Sequence, residues 1–414
     1  MKILYITQWF EPEPAFKGAD FARALADLGN RVDVLTGFPN YPGGRLYPGY
    51  RIRPWQKESR DGVPVTRLPL YPSHDKSSLG RIANYASFFA SVLVYGLLRA
   101  GKYDAVYVYH PPITPGLAAA IFTWAYRKPL VIEIQDLWPD SVMASGMAGG
   151  RTGRILNRIC NFVYRRASHI ICQSDGMMAA LRARGVPQAK MTRLYNWSTY
   201  RPAGDDPVPV PAPIAHSMAG HVNIVYGGNI GQAQHLETLV SAAVAAHGKN
   251  SRIRLHLIGG GVERQRIADL ARRTAGAAVV MHDSVPRDVM DRVFDQADIL
   301  TLHLQDDPLY DITIPSKMQH YLSCGKPIVA GLSGESAALL DRSGAATICR
   351  PGDVAALADA FVDYADQTAG QREATGAKGR AFYERELAFD KALALTNGLM
   401  HRVAQSEHPP RAPA

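Results

Sequence analysis

The sequence is poor in cysteine and places none of it in a metal or redox pattern. Its 414 residues hold four Cys, at 160, 172, 324 and 349, with no C-x-x-C pair and no accompanying His cluster. That excludes the common zinc and dithiol motifs. Each Cys lies in an apolar or helical stretch and reads as a buried, reduced thiol of a cytoplasmic protein. The first residues, MKILYITQWF, lack the charged segment and long apolar run of a secretory signal and read as a first strand. No G-x-G-x-x-G follows that strand. Gly18-Ala19-Asp20 opens a helix alone, so a plain NAD oxidoreductase is disfavoured.

Acidic residues are scarce in the first half. Residues 1–204 carry 26 Lys+Arg against 13 Asp+Glu, whereas the remainder carries 20 against 24. The formal charge of +9 therefore hides a basic half and a mildly acidic one. The basic excess concentrates in residues 51–81 and 151–193, with Arg154, Arg158, Arg165 and Arg166 at helical spacing. Such a half attracts nucleic acid, an anionic membrane surface or a phosphorylated acceptor, or is simply a solvated helix face. Residues 82–98 contain no charge at all and are closed by Arg81 and Arg99. This segment reads as a buried or half-buried helix, as one that also dips into a membrane surface, or as a span at the short limit. Asn84, Ser87 and Ser91 fall at helical spacing as a polar stripe. Peripheral membrane contact is the better functional reading. Nucleic acid is disfavoured, because no binding signature accompanies the charge.

Apolar runs alternate with helical patterns twice. In the first half strands are expected at 3–7, 32–36, 63–68, 105–109, 130–134 and 169–172, with helices at 19–28, 81–100, 115–126, 151–166 and 176–184. Residues 199–220 hold five prolines and read as a linker rather than an element. The alternation then restarts, with strands at 223–226, 254–258, 278–281, 299–302, 327–330 and 346–349 and helices at 236–246, 262–274, 288–294, 317–322 and 354–364. Continuous apolar strands separated by helices imply an α/β protein of two doubly wound parallel-sheet domains facing a cleft. A helical tail over 369–405 is expected to pack back across both. The boundaries are 1–198 for the first domain, 199–221 for the linker, 222–385 for the second domain and 386–414 for the returning helix and tail.

Ligands of such sheets bind past the C-terminal strand ends. The stretch DITIPSKMQHYLSCGKPIVAGLSGE, residues 311–335, reads as a loop, a helix start at Pro315-Ser316-Lys317, a Gly-Lys-Pro stop and a buried strand. A hydroxyl and an ammonium on a first helical turn, beside its free N–H groups, suit a nucleotide diphosphate. Gly227, Gly228 and Gly231 after one strand allow close backbone approach to a ligand. Gly259-Gly260-Gly261 after the next either faces the nucleotide or turns the chain. In the first half His110 closes a strand and is a base, a sugar hydrogen-bonder or a structural loop His. Asp136 and Trp138 position an acceptor hydroxyl and stack on a sugar ring, or Asp136 caps the following loop.

GGNIGQAQHLETLV, LIGGGVERQRI, IPSKMQHYLSCGKPIVAG and RPGDVAALADAF occur in that order. As a set they resemble the nucleotide-sugar domain of family 4 glycosyltransferases. MKILYITQWFEPEP, LTGFPNYPGG, IEIQDLWPDS and LYNW resemble the N-terminal domain of one branch. That branch builds O-antigen, capsule and exopolysaccharide repeats and includes N-acetyl-fucosamine and colanic-acid-type transferases. The resemblance covers residues 1 to about 390. It implies a GT-B fold with a C-terminal helix crossing back, and retaining transfer from a nucleotide-diphosphate sugar, with no metal or other cofactor. The implied partners are that donor, a lipid-linked glycan acceptor and the anionic inner face of the plasma membrane.

On this resemblance Lys317, Asn229, His110 and Asp136 are the expected catalytic residues. Gly228, Gly231, Gln234, Gly259, Gly260, Ser316, His320 and Glu335 are expected at the donor, and Gly18, Asn40, Tyr41 and Trp138 at the acceptor. The chain also departs from the wider family. Asn229 and Gln234 stand where many members carry Arg and Lys, and Ile312 and His320 stand where many carry two glutamates. Branch members with the DLWP motif often share the Asn and Gln, so this exchange does not imply an inactive enzyme. Charge stabilisation of the leaving diphosphate falls to Lys317 and its helix start, with the Gly228–Gly231 amides. A sugar-nucleotide epimerase of the same fold and a non-catalytic membrane-associated scaffold are the rival readings.

Overall fold

The computed structural model describes residues 1–414 except 74–77, 145–149, 201, 203–207, 275 and 408–414. It forms two compact units, one of residues 1–194 with 392–414 and one of residues 195–391. The final helix, Phe389–Glu407, thus begins in the second unit and ends in the first.

The first unit holds eight strands: β1 Lys2–Ile6, β2 Arg31–Gly37, β3 Gln56–Arg60, β4 Val63–Leu68, β5 Ala105–His110, β6 Leu130–Ile134, β7 His169–Cys172 and β8 Met191–Arg193. Their order is β3-β4-β2-β1-β5-β6-β7-β8. All neighbours are parallel except β3 with β4. That antiparallel pair went unforeseen because Gln56–Arg60 carries no apolar face. Its one signal is Asp61-Gly62, both at positive φ (48° and 80°), the requirement of a tight hairpin turn. The charged strand also protects the sheet edge from adding another.

Helix Ser78–Arg99 lies on this sheet by one face. Phe88, Val92 and Asn84 are buried, and Gly96 fits against the Phe122 ring, which an added Cβ would meet at 2.1 Å. The polar stripe does not face water. Ser91 donates to Pro69 O at 2.7 Å, Asn84 donates to Tyr71 O at 2.7 Å, and Ser87 Oγ accepts from the Tyr71 amide at 2.8 Å. By length and composition this helix is the one candidate for a membrane span among the described residues, yet one of its faces is core.

The second unit has six strands: β9 Val222–Gly227, β10 Ile253–Ile258, β11 Val279–His282, β12 Ile299–His303, β13 Ile328–Gly331 and β14 Ala346–Cys349. The order β11-β10-β9-β12-β13-β14 is parallel throughout, the doubly wound arrangement. Both faces are covered. Ile224, Tyr226 and Leu255 pack with Leu239 and Phe361 on one side, and Val225, Leu300 and Ile328 with Phe294, Met318 and Tyr321 on the other.

The expected linker needs correction. Residues 201 and 203–207 lie outside the described residues, but Ala212–Met218 is a helix. Its Pro213 sits in the first turn, where a missing N–H breaks no intrahelical bond. Proline here starts a helix rather than excluding one. All four cysteines are free and buried.

Candidate active site

In the second unit the strand order reverses between β9 and β12, where such sheets open a crevice. The chain leaves β9 into Gly228, at φ 128°, where a side chain would meet Lys317 Cε at 2.5 Å. Gly259 (φ 152°) sits where a Cβ would fall 1.9 Å from Gly228 O, and at Gly261 one would fall 2.3 Å from Ile230 O. These glycines let two loops lie backbone against backbone. The Gly228 amide donates to Ile258 O at 2.9 Å, and the Ile230 amide to Gly260 O at 2.7 Å. The Gly231 amide donates to Gln234 Oε1 at 3.1 Å, which also accepts from Asn229 Nδ2 at 3.2 Å. The expected cradle of Gly228–Gly231 amides is therefore corrected, since three of its four N–H groups are already bonded. Gly231 and Gly259 are buried packing positions, whereas Gly228 and the Asn229 side chain are exposed and Gly260 is half-buried.

Lys317 enters this rim from helix Ser316–Cys324. Its Nζ stands 3.9 Å over the Tyr226 ring and donates to the Tyr226 hydroxyl. Tyr226 in turn donates to Asn229 O at 2.5 Å. Burial keeps the Tyr226 phenol far above its ordinary pKa, with Tyr321 adding to the effect. Burial also brings the Lys317 amine down to about 7, because no carboxylate pairs with it among the described residues. The result is a cation held beside an exposed Ser316 at a helix start whose Met318 amide already donates to Pro315 O at 3.0 Å, which leaves the Ser316 and Lys317 amides for a ligand. Glu335, the second residue of helix Gly334–Asp341, is half-buried and accepts from Tyr195 OH at 3.4 Å.

His320 does not join Lys317. Its Nε2 is 2.9 Å from Asp291 Oδ1, and its Nδ1 is 3.3 Å from Ser198 Oγ. The ring packs edge-on against Phe294 and Tyr200 at 5.4 and 5.8 Å. Both nitrogens are engaged away from Lys317, so the donor role expected for His320 is withdrawn. The sequence reading missed His303, at the end of β12. Its Nε2 accepts the Gly352 amide at 2.9 Å, so Nδ1 carries the proton and donates to Gln234 O at 3.0 Å. Burial lowers its pKa to about 4, leaving a neutral ring that ties the loops after β9 and β14 together. Its place on a switch-point strand end was the available signal.

In the first unit the reversal lies between β1 and β5, and His110 closes β5. The ring is fully buried, and neither nitrogen has a hydrogen-bond partner among the described residues. Burial drives its pKa to about 3, so it is neutral, with one donor and one acceptor to offer. It meets the Trp138 ring edge-on at 5.5 Å, and Tyr85 meets the same ring at 6.4 Å. Trp138 is anchored through its carbonyl, which accepts from Tyr164 OH at 2.9 Å and Arg184 Nη1 at 2.8 Å. Asp136 is solvent-exposed, yet crowding by protein raises its carboxyl above the usual range.

Other expected acceptor positions are committed internally. Glu11 accepts the Ala19 amide at 3.0 and 3.1 Å, and a Cβ on Gly18 would fall 1.7 Å from that carboxylate. Gly18 makes room for Glu11 rather than for an acceptor, and the helix start it opens is filled. Glu13 accepts the amides of Asn40 and Tyr41 at 2.7 Å each and of Phe10 at 3.2 Å. Burial outweighs these bonds and raises its pKa to about 7. The Asn40 side chain donates to Phe38 O at 3.0 Å and accepts from Asn84 at 3.2 Å, so it holds the loop rather than a ligand. Tyr41 is half-buried and pairs with Trp9, ring centroids 4.7 Å apart. Lys17 and Glu133 form a fully buried ion pair at 2.5 Å.

Two doubly wound units, one with a cation at its switch point, are the architecture of the GT-B glycosyltransferases. Residues 19–197 match the family described as Glycosyl transferase 4-like domain, and residues 221–367 that described as Glycosyl transferases group 1. The putative colanic acid biosynthesis glycosyl transferase WcaI of Escherichia coli (strain K12) is 25% identical over 340 residues, 78% of this chain and 82% of that protein. Among solved structures, Anabaena Alr3699/HepE in complex with UDP superposes with a TM-score of 0.68 at 16% identity, covering 97% of this chain and 100% of that one. WaaG, a glycosyltransferase involved in lipopolysaccharide biosynthesis, gives 0.63 at 13% identity, covering 96% and 99%. The chain is a glycosyltransferase, with a first domain of the 4-like family and a second domain of the group 1 family.

Proposed function

We propose that the enzyme moves a sugar, with retention, from a UDP-sugar to a lipid-diphosphate-linked glycan during surface-polysaccharide assembly. The observation that carries this reading is Lys317, a cation without a carboxylate at a helix start on the switch-point rim. Negative charge grows on the leaving diphosphate as the glycosidic bond breaks, and Lys317, Ser316 and the first-turn amides stabilise it there. The acceptor hydroxyl bonds to the anomeric carbon on the face that the diphosphate leaves, and its proton passes to a leaving phosphate oxygen. This route needs no second carboxylate and assigns the leaving-group charge to the protein rather than to a metal. His110 orients the transferred sugar or the acceptor through its unpartnered nitrogens, with Asp136 and Trp138 beside it. The UDP bound by HepE and the colanic acid role of WcaI support the donor and pathway class. The branch resemblance points to an N-acetylated or deoxy hexose and to O-antigen, capsule or exopolysaccharide repeats. Four buried thiols and the basic first half support a cytoplasmic protein at the inner face of the plasma membrane.

The test is nucleotide release from a panel of UDP- and GDP-sugars, with and without a lipid-linked acceptor. Acceptor-dependent release of UDP with formation of a longer glycolipid is expected. Donor conversion without acceptor would indicate an epimerase, and nucleotide binding without turnover a scaffold.

A further inference from the structure

Helix Ser78–Arg99 has a second face. Leu79, Ile82, Ala86, Ala90, Val94, Leu97 and Leu98 are exposed and recur every three or four residues. At 1.5 Å per residue they form an uncharged stripe about 28 Å long. Leu79 is 79% exposed, Leu98 72% and Val94 58%, on a helix whose opposite side is fully packed. Soluble surfaces seldom present a continuous apolar strip of this length.

A cavity of about 730 Å³ adjoins the last two turns of the stripe, within the ~300–1,000 Å³ of small-ligand sites. Val65 and Leu68 of β4 line it, with Ala90, Val94 and Leu98 from the helix and Trp55 from the segment before β3. Arg31, Lys57, Arg99 and Lys102 also line it and are solvent-exposed. Asp33 engages Arg31 and Lys102 at 3.7 and 3.8 Å, and Glu58 is held by Arg67 and Arg60. Lys57 and Arg99 have no acidic partner among the described residues, so the border of an apolar cavity carries surplus positive charge. The cavity runs along β4, from Arg31 and Lys102 at one end to Leu68 and Pro69 at the other, and β2 and β1 stand between β4 and the β5 strand that His110 closes. The cavity is therefore separate from the transfer chemistry.

The surroundings continue the pattern. The helices Ser78–Arg99, Ile113–Tyr126 and Gly150–Arg166 contain no Asp or Glu. Tyr126 donates to Leu97 O at 2.5 Å, which places the exposed Trp124 and Tyr126, with Arg127 and Lys128 after them, near the end of the stripe. Apolar strip, aromatic residues and basic border match the interior, interface and headgroups of an anionic bilayer.

We propose that the cavity between β4 and helix Ser78–Arg99 binds the hydrocarbon chain of an anionic lipid, with Lys57 and Arg99 at its phosphate, while the exposed stripe lies in the bilayer surface. The site rests on the membrane part of the proposed function but not on the transfer chemistry, so either can fail alone. A bilayer offers the cavity its occupant wherever the stripe rests. This lipid is an anchor distinct from the acceptor, because its pocket lies along β4, with β2 and β1 between it and His110.

The probe is dodecyl phosphate below its micelle concentration, titrated into the full-length protein and followed by tryptophan fluorescence. Saturable binding of about one chain per protein is expected. Ala90→Phe, which fills the cavity, and Leu98→Glu, which places a carboxylate at its wall, each weaken it by about tenfold or more. Lys57→Ser with Arg99→Ser weakens dodecyl phosphate by about tenfold but leaves dodecanol unchanged. Because positions 57, 90, 98 and 99 are solvent-exposed, unchanged melting temperatures confirm that the variants fold. Flotation with phosphatidylglycerol–phosphatidylcholine vesicles falls in the same order, while donor turnover in detergent is unaltered. The proposal is overturned if wild type does not bind dodecyl phosphate, or if Ala90→Phe binds it as wild type does. It is equally overturned if Leu98→Glu only splits a dimer, which would make the stripe an interface between copies of the chain.

Discussion

The two sheets end in rims of opposite condition. On the first rim Glu11 caps a helix, Glu13 holds three backbone amides, and the Asn40 side chain is bonded within its loop. On the second, Lys317 faces a tyrosine ring and no acid. On the first rim Glu11 and Glu13 are spent on the backbone and the buried His110 ring is left without a partner among the described residues, whereas the second keeps a cation without a counterion among them. Since buried polar groups are normally paired, the unpaired ones mark where a ligand completes the structure. By that criterion the proposed diphosphate site falls on the second rim. The first offers a neutral imidazole, which suits hydroxyl groups better than phosphate.

Lys317→Ala breaks this contrast most severely. It should lower glycosyl transfer about 10²–10³-fold, mainly in kcat, because it removes charge stabilisation needed as the leaving group departs. Activity within about twofold of wild type would remove Lys317 from its assigned place. His110→Phe comes next. Transfer should fall about ten- to a hundredfold, with the melting temperature unchanged or raised, since two unpaired buried nitrogens are lost. Lost stability without selective lost activity would make His110 structural.

A third effect sharpens the contrast through pH. Burial lowers Lys317 to about 7, so the free enzyme holds a charged amine below that pH and a neutral one above it. UDP affinity should decline as pH rises through about 7, by at most tenfold per pH unit. Lys317→Arg, which stays charged, should flatten this profile, as measured by calorimetry from pH 6 to 9. The smallest effect belongs to Glu13. Its folded-state pKa, about 7, lies above the ordinary carboxylate value of 4.5, so the native state binds more protons than the unfolded state between them. Its contribution to stability should fall as pH rises from about 4.5 to about 7, by no more than ~1.4 kcal/mol per pH unit. Melting curves of Glu13→Gln should lack that component.

Much of this was legible in the chain because it depends on local pattern. The twelve long apolar strands announce themselves, as does the Pro315-Ser316-Lys317 helix start. What escaped depends on partners far apart in sequence. Strand β3 has no apolar period, and β8 is only three residues long. Helix Ala212–Met218 hides behind its prolines. The Gly228 amide looked free until Ile258 O took it, and Gly18 looked open until Glu11 filled the space before it. His320 shares a short helix with Lys317, yet Asp291 and Ser198, on other elements, claim it. Residue type suggested which groups suit a diphosphate, and the tertiary hydrogen bonds showed which of them are already committed within the protein.

The contrast between the rims is tested most directly by calorimetric titration of UDP into wild type, Lys317→Ala and His110→Phe. Affinity should fall about tenfold or more in Lys317→Ala and stay within about twofold in His110→Phe, whose ring serves the sugar side. Equal affinities for wild type and Lys317→Ala would contradict a diphosphate site at this helix start.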